Sequence, residues 1–149
     1  MTDVFLSYSS KDRGEGEDVD GNPRDDRVTP IVELLTAQGF DVFWDQTVPP
    51  GKNWNAWIKE KLKDAKCAVV LWSEYSVESD NVVHEATIAH KNDKLISILL
   101  DPIDADQLPM GLYTHQAVKL IGWSGDDSHD GWRKAISEVE AKLTPHAPL

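Results

Sequence analysis

The sequence predicts a single α/β domain, in which a five-stranded parallel sheet is covered by helices on both faces. Five short apolar runs recur along its 149 residues, and segments with helical periodicity separate them. Strands that alternate with helices in this way are typical of a parallel sheet, because each crossover helix packs back onto the sheet. A chain of this length has room for one hydrophobic core, and therefore for one domain.

The apolar runs predict the strands, because each is short and bounded by polar or turn-forming residues. The segment 101–116 contains two prolines and a glycine, so no long helix is expected there. The five predicted strands lie near residues 3–8, 40–44, 67–72, 95–100 and 117–121.

The segments between strands predict helices, because their apolar residues recur every three or four positions. Pro30 falls in the first turn of the first helix and Gly39 lies just past its end, as is usual at helix boundaries. Ser79 or Asp80 can cap a third helix that continues to about Asn92. The apolar stripes of the four helices are Val28, Ile31, Val32 and Leu35; Trp54, Trp57, Ile58, Leu62 and Ala65; Val82, Ala86 and Ala89; and Trp132, Ala135, Ile136, Val139 and Leu143.

The composition disfavours several classes of partner and location. The 26 acidic residues outnumber the 15 lysines and arginines, and the net charge of −11 disfavours binding to nucleic-acid backbones and to anionic membrane surfaces. Cys67 is the only cysteine, so we interpret it as a small buried hydrophobic residue of a cytoplasmic protein. We expect no signal peptide and no membrane span, because no apolar stretch approaches about 18 residues.

Motifs of metal and nucleotide sites are incomplete in this sequence. The histidines show no metal-ligand spacing. Asp18, Asp20 and Asn22 begin the spacing of a calcium loop, but Pro23 stands where a glycine is needed and Thr29 where a bidentate glutamate would be. No glycine-rich nucleotide fingerprint follows the first strand. We therefore expect no metal site.

Polar residues follow the first three predicted strands. The first strand leads into the segment 7–12, the second ends at Trp44-Asp45, and the third ends at Trp72-Ser73. In an open parallel sheet, ligands bind outside the carboxyl ends of the strands, where the strand order reverses. These strand ends therefore predict one crevice, and the helix after the third strand carries Glu85 beside it.

Three motifs resemble those of Toll/interleukin-1 receptor (TIR) domains, particularly the bacterial ones. Residues 5–12, Phe-Leu-Ser-Tyr-Ser-Ser-Lys-Asp, are similar to the opening motif of the family. Residues 45–54, which include Pro-Pro-Gly-Lys, resemble the mobile loop after the second strand. Ser79 and Glu85 resemble the third-helix motif, in which a serine precedes an active glutamate.

The resemblance runs from residue 3 to about residue 143, so we assign 1–143 to a TIR domain and 144–149 to a C-terminal tail or the start of a linker. It implies a flavodoxin-like fold, a three-layer sandwich with sheet order 2-1-3-4-5. It also implies that NAD+ is hydrolysed at the nicotinamide–ribose bond, often by effectors of immunity or phage defence, with NAD+ as substrate and no cofactor. In the family, self-association through the loop that corresponds to 45–54 often completes the pocket, so a partner domain or subunit can trigger assembly.

Glu85 is the candidate catalytic residue. At about 100° per residue it lies within about 60° of the stripe of Val82, Ala86 and Ala89, so its carboxylate borders the buried face. Nicotinamide departs from NAD+ as a neutral molecule, so the second carboxylate that ordinary glycosidases use as general acid is not required. A fixed anion in a dry pocket stabilises the positive charge that develops on the ribose. The alternative interpretation is a glutamate on a solvated helix surface.

Eight further residues are predicted to bind substrate, because they lie at or beyond the ends of the first three strands. Hydroxyl and backbone N–H groups can bind ribose or phosphate, and aromatic faces stack on bases. Each residue has a structural alternative. Residues 8–11 can form a polar turn after the first strand, and Asp45 can order the loop behind it. Lys52 can be a solvated surface residue or a subunit contact, and the two tryptophans can pack in the core. The eight residues are Tyr8, Ser9, Ser10, Lys11, Asp45, Lys52, Trp54 and Trp72.

Two features depart from the family pattern. Asn81 stands four residues before Glu85, where many catalytic members carry tryptophan, and this weakens the case for adenine stacking and a cyclic product. The segment 12–27 is longer and more acidic than the usual first loop, and its composition predicts a mobile, solvated loop.

Two other functions also fit the sequence. A non-catalytic signalling adaptor would use the same surface for TIR–TIR association, and full exposure of Glu85 would favour it. A nucleoside deoxyribosyltransferase-like enzyme would also place a glutamate beside an α/β crevice, and substrate assays separate the two.

Overall fold

The computed structural model shows strands and helices alternating along the chain, as predicted. Two short 3₁₀ turns, Ser10–Asp12 and Ser76–Glu78, follow the first and third strands. The strands are β1 (Val4–Ser7), β2 (Val42–Phe43), β3 (Cys67–Trp72), β4 (Leu95–Leu99) and β5 (Val118–Lys119), and the helices are α1 (Thr29–Ala37), α2 (Trp54–Asp64), α3 (Asp80–Lys91) and α4 (Asp130–Leu143). The structure describes residues 2–14, 16–17, 20–23, 26–44, 50–51, 53–104, 107–108, 117–121, 123 and 129–143.

The strands form one parallel sheet in the order β2-β1-β3-β4-β5, which confirms the order implied by the family resemblance. Val4 of β1 pairs with Val42 of β2 on one side and with Cys67 of β3 on the other. The strand order reverses between β1 and β3, because the chain adds β2 on one side of β1 before it returns to the other. The carboxyl ends of β1 and β3 therefore flank the point at which open α/β sheets bind ligands.

Helices cover both faces of this sheet, which confirms the three-layer architecture. Leu6 of β1 packs with residues of α1 and α4 on one face. Phe5 packs with Ile58 of α2 and Ala89 of α3 on the other. Successive side chains of a strand point to opposite faces, so β1 contributes to both core layers.

The central strands match their predicted ranges more closely than the edge strands do. β3 coincides with the predicted 67–72, and all of its residues are buried, as expected for a parallel strand that is covered on both faces. β2 and β5 contain 2 residues each, fewer than the predicted 40–44 and 117–121. Within the described residues each edge strand pairs with one neighbour, so fewer backbone hydrogen bonds extend it.

Local signals mark the ends of several helices. The Ser79 side chain accepts a hydrogen bond of 3.4 Å from the backbone N–H of Val82, which confirms it as the N-cap of α3. Asn53 accepts a hydrogen bond of 3.1 Å from the N–H of Ala56 at the start of α2. Gly39, with a φ of 92°, follows α1 in the left-handed region that favours glycine. None of the helices in the described part of the chain is long and apolar enough to cross a membrane.

Cys67 is buried in β3, as its apolar surroundings in the sequence predict. Burial, with a smaller contribution from Asp3, raises the pKa of its thiol to about 12. The thiolate is the nucleophilic form of cysteine, so a thiol with this pKa is unreactive at neutral pH.

Two predictions fall on segments that the structure describes in part or not at all. Of the segment 101–116, residues 101–104, 107 and 108 are described, and they contain no α-helix. The predicted tail, 144–149, lies outside the described residues.

Candidate active site

Glu85 lies in the second turn of α3, close to the carboxyl ends of β1 and β3. Its side chain is 1% exposed. Glu85 Oε2 accepts a hydrogen bond of 2.8 Å from the Oγ of Ser7, the last residue of β1. The carboxylate is therefore buried at the predicted crevice, in agreement with its position beside the apolar stripe of α3. Its catalytic role stays a prediction.

Ser7 is a site residue that the sequence analysis did not identify. Leu6 of β1 and Tyr8, which directly follows β1, belong to the core layer of α1 and α4, whereas Phe5 packs against α2 and α3. Alternation along the strand therefore directs Ser7 to the same face as α3 and Glu85. The same alternation could have been read from the sequence, and it favours Ser7 over Tyr8 as the partner of Glu85.

Tyr8 joins the ends of β1 and β2. Its side chain is 8% exposed, and its hydroxyl donates a hydrogen bond of 2.7 Å to the carbonyl oxygen of Trp44. Arg13 donates to the Tyr8 hydroxyl at 3.3 Å, and its guanidinium carbon lies 4.5 Å from the centroid of the Trp44 ring. In this arrangement Tyr8 orders the strand ends, and its predicted contact with substrate stays a prediction.

Ser9, Ser10 and Lys11 form the polar turn that follows β1. The Ser9 side chain accepts a hydrogen bond of 3.3 Å from the N–H of Lys11 and so caps the 3₁₀ turn. Ser10 and Lys11 are exposed, and Lys11 Nζ lies 5.7 Å from the centroid of the Tyr75 ring. The turn therefore leaves two of its predicted substrate-binding residues accessible to a ligand.

Trp72 occupies the core in this structure. Its side chain is 0% exposed and packs in a cluster with Val82 and Ala86 of α3. The indole Nε1–H donates a hydrogen bond of 3.2 Å to Ser97 Oγ, which satisfies the polar atom of the ring. β3 is central in the sheet and is covered on both faces, so its last residue is enclosed. This placement agrees with packing, the structural alternative to substrate binding for Trp72.

The side chains of the other three predicted substrate-binding residues lie outside the part of the chain that the structure describes. Asp45 and Lys52 lie outside the described residues. Trp54 is the first residue of α2, and only its backbone is described.

A polar cluster at the carboxyl ends of β1, β3 and β4 was not predicted. Asp12 is 1% exposed, and its carboxylate accepts hydrogen bonds from Ser73 Oγ at 2.5 Å and from Arg27 Nη2 at 2.6 Å. Arg27 Nη1 donates to Asp101 Oδ1 at 2.7 Å, and Nη2 donates to Asp101 Oδ2 at 3.1 Å. We call Asp12, Arg27, Ser73 and Asp101 the strand-end cluster. The cluster connects the segments that follow β1, β3 and β4 to the segment that precedes α1.

One cation balances two carboxylates in the strand-end cluster. Burial raises the pKa of Asp12, and the hydrogen bonds from Ser73 and Arg27 only partly oppose this rise. Burial acts on Asp101 in the same direction, but hydrogen bonds from Arg27 and from the N–H of Glu74 outweigh it and lower the pKa. Burial disfavours the charge on Arg27, yet the two carboxylates raise its pKa, so it stays protonated. Within the described part of the chain, no three His, Cys, Asp or Glu side chains are placed to hold a metal ion.

The strand-end cluster changes the interpretation of the acidic segment 12–27. Its composition predicted a mobile, solvated loop, but its first residue, Asp12, is buried. The backbone N–H of Arg27 donates a hydrogen bond of 2.7 Å to the carbonyl oxygen of Asp12, and Arg13 pairs with Asp26 in an antiparallel bridge. The prediction of a solvated loop is therefore wrong for Asp12, because the Arg27 ion pair partly compensates the burial of its carboxylate. The described residues 16, 17, 20–23 and 26 are exposed, as predicted.

The sequence contains only part of the signal for this cluster. Asp12, Ser73 and Asp101 each follow a predicted strand closely, which places them at one edge of the sheet. Nothing local indicates that Arg27 would pair with Asp101, because 74 positions separate them.

Comparison with known proteins identifies the family. The sequence model of the TIR domain matches residues 4–136. Among solved structures, the chain is similar to the TIR domain of the Toll-related receptor TRR-2 from Hydra magnipapillata, with a TM-score of 0.71 and 17% identity over 94% of this chain and 99% of that chain. No curated protein matches the chain.

Two further solved structures share the fold. The TIR domains of the activated Roq1 resistosome, which directly recognises the pathogen effector XopQ, match with a TM-score of 0.55 and 18% identity over 96% of this chain and 73% of that chain. A metazoan TIR-STING receptor from C. gigas matches with a TM-score of 0.62 and 17% identity over 95% of this chain and 40% of that chain. These similarities establish the fold, and the family model covers most of the sequence. The chain therefore belongs to the TIR-domain family.

Proposed function

We propose that this TIR domain is an NAD+ glycohydrolase with Glu85 as its catalytic carboxylate. It acts in the cytoplasm as a bacterial immune effector against phage and is activated by oligomerisation. The observation that carries the proposal is the burial of Glu85 at the carboxyl edge of the sheet, together with its 2.8 Å hydrogen bond from Ser7. A docking surface does not need a carboxylate in this position, whereas glycosidic cleavage needs a fixed anion near the sugar.

In the proposed reaction, the bond between ribose C1′ and the nicotinamide nitrogen breaks, and its electron pair goes to the pyridinium ring. Nicotinamide leaves as a neutral molecule, and positive charge develops on the ribose. The carboxylate of Glu85 stabilises this charge, and the hydrogen bond from Ser7 holds the carboxylate in place. Water then attacks C1′ and releases one proton, which gives ADP-ribose, whereas attack by the adenine ring gives a cyclic product. NAD+ is the substrate, so the proposal includes no resident cofactor.

Access to Glu85 is the reason for including oligomerisation. The carboxylate is buried in the isolated chain, so NAD+ has to displace part of its cover before it reacts. Self-association through 45–54, triggered by a partner domain or subunit, would open or complete the pocket. The similar TIR domains of Roq1 were solved in an activated resistosome, which supports assembly as the trigger. Ser10 and Lys11, exposed on the turn after β1, are then available to the substrate.

Nicotinamide release from NAD+ at high protein concentration tests the proposal, with Glu85→Gln as the main variant. The amide keeps the size of the side chain and can accept a hydrogen bond from Ser7, but it carries no charge. We expect kcat to fall by about 100-fold or more, the effect of removing one electrostatic contact to a developing charge. Glu78→Gln, at an exposed position of the 3₁₀ turn before α3, is the matched control and should release nicotinamide like the wild type.

Each alternative predicts a different outcome. Equal release by the wild type and Glu85→Gln would overturn the role of Glu85. No release by the wild type at any concentration would favour the non-catalytic adaptor. Release of bases from nucleosides, without cleavage of NAD+, would favour the nucleoside deoxyribosyltransferase-like enzyme. Chromatography of the product then distinguishes linear from cyclic ADP-ribose.

A further inference from the structure

We propose that Asp12 is a positioning residue for Glu85 and acts through Ser73 and Arg27. The proposal rests on the proposed catalytic role of Glu85 and extends it, because it assigns a function to the strand-end cluster. Asp12 acts on the two segments that carry Glu85 and its hydrogen-bond partner Ser7.

The first segment connects Ser7 to Asp12. Ser7 ends β1, and the 3₁₀ turn Ser10–Asp12 follows after Tyr8 and Ser9. The N–H of Asp12 donates a hydrogen bond of 2.9 Å to the carbonyl oxygen of Ser9, whose side chain also caps the turn. The turn therefore sets the position of the Asp12 carboxylate relative to Ser7.

The second segment connects Asp12 to α3 through Ser73. Besides donating to Asp12, Ser73 Oγ accepts a hydrogen bond of 3.1 Å from the N–H of Ser76. Ser76 Oγ donates in turn to the carbonyl oxygen of Leu71 at 2.7 Å. Ser76 also begins the 3₁₀ turn that ends next to Ser79, the N-cap of α3. The whole connection from β3 to α3 is thus held by hydrogen bonds.

Two buried hydrogen bonds close these segments into a ring. The bond between Ser7 and Glu85 joins β1 to α3, and the bond between Ser73 and Asp12 joins the turn after β1 to the connection that enters α3. Loss of the second bond allows this connection to shift relative to β1, and the carboxylate of Glu85 shifts with it. A displacement of about 1 Å can cost about 100-fold in rate, because the reacting groups lose their alignment.

Arg27 keeps the Asp12 carboxylate oriented. Its guanidinium donates to Asp12 and to both oxygens of Asp101. Asp101 Oδ2 also accepts a hydrogen bond of 2.9 Å from the N–H of Glu74, the residue after Ser73. A lysine keeps the charge but cannot reproduce the planar fork that bridges two carboxylates. Arg27→Lys is therefore a second variant with an effect in the same direction.

The kinetic test compares Asp12→Asn with Lys94→Met in the full chain. Lys94 Nζ donates to three carbonyl oxygens near the end of α2, at the amino edge of the sheet and therefore outside the ring. We expect Asp12→Asn to lower kcat for nicotinamide release by about 10- to 100-fold and to change KM by less than about threefold. Lys94→Met should lower the melting temperature and leave kcat unchanged.

An NMR test reports on position without requiring turnover. The readouts are the carbon-13 shift of the Glu85 carboxyl, assigned by its loss in Glu85→Gln, and the rate at which the Ser7 hydroxyl proton exchanges with water. We expect both to change in Asp12→Asn, or in Arg27→Lys if the former does not fold, and neither to change in Lys94→Met.

The two tests separate failure of this inference from failure of the proposed function. Unchanged signals from Glu85 and Ser7 in the folded Asp12 or Arg27 variant would overturn the positioning role, whatever the activity. Changed signals in a protein that never cleaves NAD+ would overturn the proposed function and still support the positioning role.

Discussion

Asp12 and Asp101 share the guanidinium of Arg27, but their ionisation differs. Burial raises the pKa of Asp12, since its almost complete enclosure outweighs the hydrogen bonds from Ser73 and Arg27. Asp101 is only half-buried and accepts a backbone N–H as well as the guanidinium, so its pKa is lowered. Position in the fold, not residue type, decides which carboxylate holds its proton more tightly.

Replacing Asp12 and replacing Asp101 should therefore change the pH dependence of the free energy of unfolding in opposite directions. The stability contributed by Asp12 is fully present below its unfolded pKa of 3.8 and is lost as the pH rises through the raised folded pKa. The stability contributed by Asp101 is present above 3.8 and is lost as the pH falls through the lowered folded pKa.

Urea unfolding of Asp12→Asn and Asp101→Asn, from about pH 3 to about pH 7, measures both effects. The free energy of unfolding of the wild type minus that of the variant should fall with rising pH for Asp12 and rise for Asp101. The same sign for both variants would contradict the opposite environments of the two carboxylates.

The carboxyl end of helix α2 is stabilised by a lysine from the segment that precedes β4. Lys94, just before β4, donates hydrogen bonds from Nζ to the carbonyl oxygens of Leu62, Lys63 and Ala65 at 3.3, 3.0 and 2.7 Å. The last carbonyl groups of a helix lack partners within it and carry partial negative charge. The lysine supplies hydrogen-bond donors to these carbonyl groups and a positive charge next to their partial negative charge.

Lys94→Met should lower the free energy of unfolding by about 1–3 kcal/mol, because it removes hydrogen bonds from a charged donor. The denaturation midpoint in urea should fall and the slope should stay constant. Lys91→Met, at an exposed position near the end of α3, is the control and should have little effect. Equal midpoints for Lys94→Met and the wild type would show that water replaces the lysine without cost.

The domain as a whole encloses the carboxylate on which the proposed activity depends. Nicotinamide release per molecule is therefore expected to increase with protein concentration, and to increase in parallel with the fraction of oligomer measured by light scattering. Glu85→Gln should assemble like the wild type but release nicotinamide about 100-fold more slowly, or slower still. A rate per molecule that is constant from nanomolar to micromolar protein would contradict activation by assembly.

Much of this fold was predictable, because it depends on local patterns. Apolar runs separated by helical periodicity predict an α/β sheet, and Ser79 marks the start of α3 through its own side chain. The helical period also places Glu85 at the border of the buried face. These properties depend on neighbours within one or two turns, which any reader of the sequence can examine.

The composition of the site was decided by the tertiary structure. Glu85 bonds to Ser7 across 78 positions, and Ser73 bonds to Asp12 across 61. Trp72 enters the core because neighbouring strands and helices cover both faces of β3. Side-chain pairing and desolvation depend on which distant segments meet at a strand end. Local periodicity determines what each segment forms, and only the packed sheet determines which polar groups it brings together.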